Sequence, residues 1–168
     1  MGFKKTSETI AISFALTETA PAVFTEDEIA LQLDVLNNEI FVVLAVDLNL
    51  QAPDAIAATN TSVKATVSST SATSIQTLSN TNVLAVARDQ IQAAGFLDGG
   101  VGFSRSATES YQGELDYIGI IATNNFFVGI EGTGNVGPKG LAGRLWGFRA
   151  KSDSSTYAAL VQSEVLSA

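Results

Sequence analysis

The 168-residue chain has no cysteine and no histidine. That excludes disulfides, thiolate nucleophiles, nearly every zinc site and any histidine general base or triad, and it leaves the redox compartment unreadable. Charge is also sparse, at 15% of residues, and cations are the scarcer sign: 9 lysines and arginines against 17 acids, a formal charge of −8. Such a balance argues against a surface whose main task is gripping nucleic acid or anionic lipid. No apolar run approaches the ~20 residues of a membrane span. The first residues lack the apolar core of a secretory signal, so the chain is expected to be mature and soluble. Met1-Gly2-Phe3-Lys4-Lys5-Thr6 fits the N-myristoylation pattern, a plain frayed terminus being the simpler expectation.

What remains is apolar (46% of residues) or small and polar. A chain of this length suits one domain, 1–168, with 1–8 and 151–168 as terminal extensions. Ile10, Ile12, Phe14 and Leu16 alternate with Ala11, Ser13 and Ala15, the period of a strand with one buried face. Thr25-Glu26-Asp27-Glu28 has the form of a capping box, yet Ile29, Leu31, Leu33 and Val35 alternate; helical turn and strand stay equally open over 25–36. From Glu39 to Leu50 the residues Ile40, Val42, Leu44, Val46, Leu48 and Leu50 read as one face. Phe41 and Val43 give way to Asp47 and Asn49 on the other, which predicts a central strand emerging at its end. Residues 51–82 turn small and polar, with Val63, Ala65 and Val67 as an edge strand. Asn82 to Gly95 spaces Leu84, Ala87, Ile91 and Ala94 as a helix ended by glycine.

Further on, Asp98-Gly99-Gly100 marks a turn and Val101 to Phe103 a short strand. Glu114–Ala122 and Phe126–Glu131 form a hairpin through Thr123-Asn124-Asn125. A final strand holds Arg144, Trp146, Phe148 and Ala150, with Trp146 and Phe148 pointing inward. Asp153–Leu166 reads as a helix whose apolar side is Tyr157, Leu160, Val161 and Val165. The fold class is therefore all-β: an antiparallel β-sandwich or jelly roll with one or two short helices.

Gly132-Thr133-Gly134-Asn135-Val136-Gly137 is a literal G-x-G-x-x-G after an apolar run. A dinucleotide site needs a helix to begin at once and aim its amides at the pyrophosphate. Here Pro138-Lys139-Gly140-Leu141-Ala142-Gly143 follows, too rich in glycine and proline for a helix, so a loop joining two antiparallel strands is expected. Asp47, Glu114, Asp116 and Glu131 are the acids from which a hydrolytic pair could come, though acids at strand ends are ordinarily solvated. Glu26-Asp27-Glu28 and Asp98-Gly99-Gly100 lack calcium-loop spacing. Asn60-Thr61-Ser62 is a glycosylation sequon. Lys139, Arg144, Arg149 and Lys151 form a small basic strip near Trp146 and Phe148, thin support for single-strand binding. No catalytic, cofactor-binding or metal-binding residue is assigned, no cofactor is expected, and the chain is read as not an enzyme.

The strand rhythm, Ile118-Gly119-Ile120-Ile121 with Phe126-Phe127-Val128, and the closing Leu145-Trp146-Gly147-Phe148-Arg149-Ala150 carry a resemblance over roughly Glu8 to Ala150. The chain resembles the single jelly-roll capsid proteins of tailless icosahedral viruses, particularly upright-barrel shell proteins of viruses infecting marine bacteria or archaea. The resemblance implies two four-stranded sheets and self-assembly into an icosahedral shell. It implies a place in the virion, assembled in the host cytoplasm, with contacts to other copies and other virion proteins through loops and termini. Only Lys4 and Lys5 stand where many such proteins carry a basic arm, so a shell over a membrane or inner layer is expected, with no direct nucleic-acid binding and no small-molecule substrate. Two rivals remain: a carbohydrate-binding or adhesin-like sandwich using Tyr111 and Tyr117, and a phage tail or fibre subunit.

Overall fold

The computed structural model describes residues 2–95 and 115–168. Their strands are β1 (Phe3–Lys5), β2 (Ile10–Thr17), β3 (Thr25–Ala30), β4 (Glu39–Leu50), β5 (Thr61–Ser68), β6 (Val83–Ile91), β7 (Gly119–Ile121), β8 (Asn125–Thr133) and β9 (Gly140–Ser152). A 3₁₀ turn at Val35–Asn37 precedes β4, and helix α1 (Ser154–Leu166) follows β9. Two antiparallel sheets result, β2-β9-β4-β7 and β3-β8-β5-β6, with β1 added beside β2 along the other end of β9. From β2 onward, every consecutive pair except β5 and β6 changes sheet. Two four-stranded sheets wired this way make a jelly roll, as the all-β reading expects.

The core lies between the sheets. Phe14, Phe41, Val46, Val63, Val67, Ile130 and Leu145 fill it, with Phe14 and Phe126 meeting edge to face at 6.0 Å, a favoured aromatic geometry. A second apolar layer lies outside the first sheet, where Ile40, Val42 and Ala150 pack with Phe148, Tyr157, Leu160 and Val161. Helix α1 thereby covers one end of that sheet. The wiring gathers the connections into two rims: 18–24, 51–60 and 134–139 at one, and 31–38, 69–82 and 122–124 at the other, beside α1.

Several local expectations change. The face read from Ile40 to Leu50 is broken, because pairing with β9 passes from Val43 to Ala45 and leaves Leu44 as a bulge. Ile40 and Val42 consequently face α1, whereas Phe41, Val43, Val46 and Leu48 face the sandwich. Residues 82–95 form strand β6, not a helix: Val83, Ala85 and Ala87 are buried at period two, and β5 supplies the ladder. β5 itself is central, between β8 and β6, and not an edge. β7 and β8 belong to different sheets and make no hairpin. The ambiguous stretch divides into a strand, Thr25–Ala30, and the later 3₁₀ turn. The turn expected at 98–100 and the strand at 101–103 lie outside the described residues.

Candidate functional site

The glycine-rich turn closes on its own chain. Gly132 and Gly134 fall at the end of β8, and the next element is strand β9, in the opposite sheet, where a dinucleotide site would need a helix. Glu18, buried at the end of β2, places its carboxylate inside the turn. Its Oε2 accepts from the Gly132 N–H at 2.9 Å and its Oε1 from the Lys139 N–H at 2.8 Å. Any side chain at position 132 would put a Cβ 2.8 Å from Glu18 Oε1, and Gly134 has φ +73°. Those two glycines answer to a close approach and to left-handed backbone.

Asp54 closes the other side of the turn. Its Oδ1 takes the Lys139 Nζ at 2.6 Å and its Oδ2 the Val136 N–H at 2.9 Å, while its own N–H donates to Asn135 Oδ1. The Lys139 bond first, and the Val136 N–H next, hold the Asp54 carboxyl below the ordinary carboxylate value. The amides that a phosphate would recruit are thus committed to two carboxylates of this chain. Sequence reasoning read the turn correctly as a loop but missed Glu18 and Asp54; the signal was a lone acid just past a strand and another beside Pro53.

The other sequence candidates disperse. Asp47 is exposed opposite Arg144 in the first sheet, whereas Glu131 lies opposite Lys64 in the second; Asp116 is exposed before β7. These acids share no cleft. Glu114 and Tyr111 lie outside the described residues. Tyr117 packs edge to face on Phe3 at 6.0 Å. Asn60 of the sequon accepts from the Ala93 and Ala94 N–H groups.

The basic strip is divided in the same way. Lys139 is buried on Asp54, and Arg149 donates to the Leu31 and Gln32 carbonyls and pairs with Glu39 at 3.4 Å. Arg144 lies over the Trp146 ring at 5.9 Å. Trp146 and Phe148 do not enter the sandwich: Leu141 and Leu145 do, leaving Trp146 half-exposed outside and Phe148 in the layer with α1.

Both termini are tied down. The Asp153 N–H donates to the Gly2 carbonyl at 3.0 Å, and Asp153 caps α1 by accepting from the Thr156 N–H at 2.7 Å, a favoured cap geometry. At the far end of α1, Glu164 and not Val165 is the buried residue. Its carboxylate accepts from the Ala122 N–H at 2.7 Å and the Thr123 N–H at 3.1 Å, and its carbonyl accepts from Asn82 Nδ2. Burial raises the Glu164 carboxyl above its ordinary 4.5, outweighing those donors, and burial with the Glu164 charge raises the Tyr157 hydroxyl.

The folded state therefore holds the Glu164 proton more tightly than the unfolded chain. Its stabilising effect is complete below about pH 4.5 and fades as pH rises through the folded value. The melting temperature of the wild type, less that of Glu164→Gln, is expected to fall steadily from pH 4.5 into the neutral range. A flat difference across that range would remove this role.

No family model matches the chain, and no curated protein matches it. Among solved structures, it is similar to a chain of Desmodium yellow mottle tymovirus at 16% identity, covering 88% of this chain and 91% of that one, with a TM-score of 0.32. Turnip yellow mosaic virus gives 11% identity, 89% and 99% coverage and a TM-score of 0.30. Scores this low place no constraint on what the chain does.

Proposed function

We propose that the protein is a self-assembling structural subunit, a coat protein of an icosahedral virus particle. On this reading, residues 1–168 form one domain, its partners are further copies and other particle proteins, and it performs no catalysis. The observation that carries the proposal is Leu36, a large apolar side chain 94% exposed at the tip of the 3₁₀ turn. A mobile loop would leave such a residue free to fold back, but this turn is fixed. Asp34 accepts from the Leu36 N–H at 3.2 Å, Glu39 accepts from the Asp34 N–H at 2.6 Å, and the Asn38 carbonyl accepts from the Ser152 N–H at 3.1 Å.

An apolar side chain displayed on a pre-ordered turn loses little entropy on docking, which suits an interface anchor. Val35, Val165 and Leu166 are exposed on the same half of the molecule, and Val136 projects from the opposite rim. Apolar tips on both rims favour contacts between unlike surfaces of neighbouring copies, the kind that closes rings and shells. The charge of −8, with Lys139 and Arg149 already occupied, leaves genome contact to another layer.

Light scattering and negative-stain microscopy of the purified chain test the reading. Closed shells are expected; rings or trimers would favour a tail or fibre subunit, and a monomer at every concentration would overturn assembly. Leu36→Asp is expected to raise the concentration needed for assembly at least tenfold, an anchor of this size being worth about 1.5–3 kcal/mol, while leaving the monomer's melting temperature unchanged.

A further inference from the structure

The outer face of the second sheet carries two cations where pairing rules disfavour them. Lys64 on β5 and Arg88 on β6 are direct cross-strand partners, and like charges so placed repel. Glu131 flanks Lys64 on β8, yet the ion pairs within 4 Å among the described residues are Lys139 with Asp54 and Arg149 with Glu39. In a chain with 9 cations, two of them side by side with no acid among the described residues in ion-pair contact is a local conflict of the kind that accompanies a binding site.

The conflict sits in a concavity. The connection between β5 and β6 folds back over this face, held by Glu26, which accepts from Ser71 Oγ at 2.5 Å and the Ala72 N–H at 2.9 Å. Its next residues, from Ser74 to Thr77, wall a cavity of about 350 Å³ whose floor includes Lys64, Val86 and Arg88. Lys64 and Arg88 also border a smaller depression on their other side, of about 190 Å³. A cavity that combines an apolar patch with a few convergent polar groups has the make-up of a small-ligand site, and the larger one is of the size that such sites have.

We propose that this cavity binds a small monoanionic sugar of the uronic-acid class. Arg88 and Lys64 would hold the carboxylate, by charge-assisted hydrogen bonds. Glu131 would accept from a ring hydroxyl, while Gln76 and the Ser74 and Thr77 hydroxyls, which bond to one another and to Ser79 and Asn80 within the connection, would exchange those bonds for ring hydroxyls. Ile75 and Val86 would supply an apolar surface for the C–H face of the ring. The body's charge of −8 repels a polyanion at range and leaves a single carboxylate little opposed, which selects against nucleic acid and heavily sulfated chains. This ligand site goes beyond the coat reading and does not depend on it.

Calorimetric titration of the full chain with D-glucuronate, D-glucose and sodium sulfate tests it. Saturable binding of glucuronate is expected, with glucose weaker by at least tenfold because it lacks the charge. Arg88→Gln should weaken glucuronate by roughly tenfold or more, and Arg88→Lys by less. Arg88→Glu should abolish binding yet raise the melting temperature by roughly 1–3 °C, because it turns a repulsive cross-strand pair into an attractive one. A site kept only for structure would show no such opposition. The absence of saturable glucuronate binding would overturn the proposal. Sulfate binding as tightly as glucuronate would also overturn it, by showing that the hydroxyl partners contribute nothing.

Discussion

Replacing Gly147 by alanine is expected to cost about 3 kcal/mol, the upper part of the range for overpacking a core, and to lower the melting temperature by roughly 6–12 °C. The reason lies in β9, the strand on which the first sheet is built. It pairs with β1 and β2 along one edge and with β4 along the other. Gly147 stands opposite Val43, just before the bulge at Leu44. An added Cβ would come within 3.0 Å of the Val42 carbonyl oxygen and of the Phe41 ring. The ring is fully buried, and the carbonyl is backbone, so neither can swing aside and the two central strands must separate. Chemical unfolding measures the loss. Gly137→Ala is the control, since a Cβ there meets nothing within 4 Å and should change stability by less than about 0.5 kcal/mol. Equal effects at the two positions would show that the packing at Gly147 is slack.

The same neighbourhood explains which parts of the fold were legible in the sequence. Alternation in β2 reads correctly because an edge strand with one buried face has one interpretation: Ile12, Phe14 and Leu16 do line the core. β4 misleads because both of its faces are apolar near its start, one under α1 and one in the sandwich, so a bulge that exchanges the faces leaves no gap in the pattern. β6 misleads for a related reason. Leu84, Ala87 and Ile91 satisfy a helical spacing while Val83, Ala85 and Ala87 satisfy a strand's, and only the ladder offered by β5 decides between them. The hairpin expected at β7 and β8 fails because alternation identifies faces and says nothing of neighbours, and here consecutive strands change sheet. Trp146 lies outside because small Gly143 and Gly147 already occupy the inward positions beside Leu145, where the Phe14 and Phe41 rings need the room. At the glycine turn, the loop was legible from Pro138 and Gly140; the carboxylates that fill it were not, since Glu18 reaches it from more than a hundred residues away in sequence.

Glu18 is also the site of the second large effect. Glu18→Ala is expected to destabilise the protein by about 2–4 kcal/mol, because the Gly132 and Lys139 N–H groups, both buried, lose their acceptor together and each orphaned donor costs about 1–3 kcal/mol. Glu18→Gln retains one acceptor oxygen but turns an amide NH₂ toward the second donor, so its loss should be intermediate. Hydrogen exchange localises the effect: the amides of Gly132 and Lys139 should lose protection beyond the global change in the alanine variant, while the backbone bond from the Glu18 N–H to the Lys139 carbonyl persists. Loosening the turn also frees the tip that carries Val136, which is 79% exposed, so assembly should weaken along with local protection if that rim meets a neighbouring copy. Added phosphate separates this account from a nucleotide-binding one. In the wild type the carboxylate of Glu18 already holds the amides an oxyanion would need, so millimolar phosphate should leave the melting temperature unmoved. In Glu18→Ala those same two amides stand open beside the glycines, and partial rescue by phosphate there, absent from the wild type, would show that the turn has the geometry of an anion cradle and that Glu18 is the anion it holds.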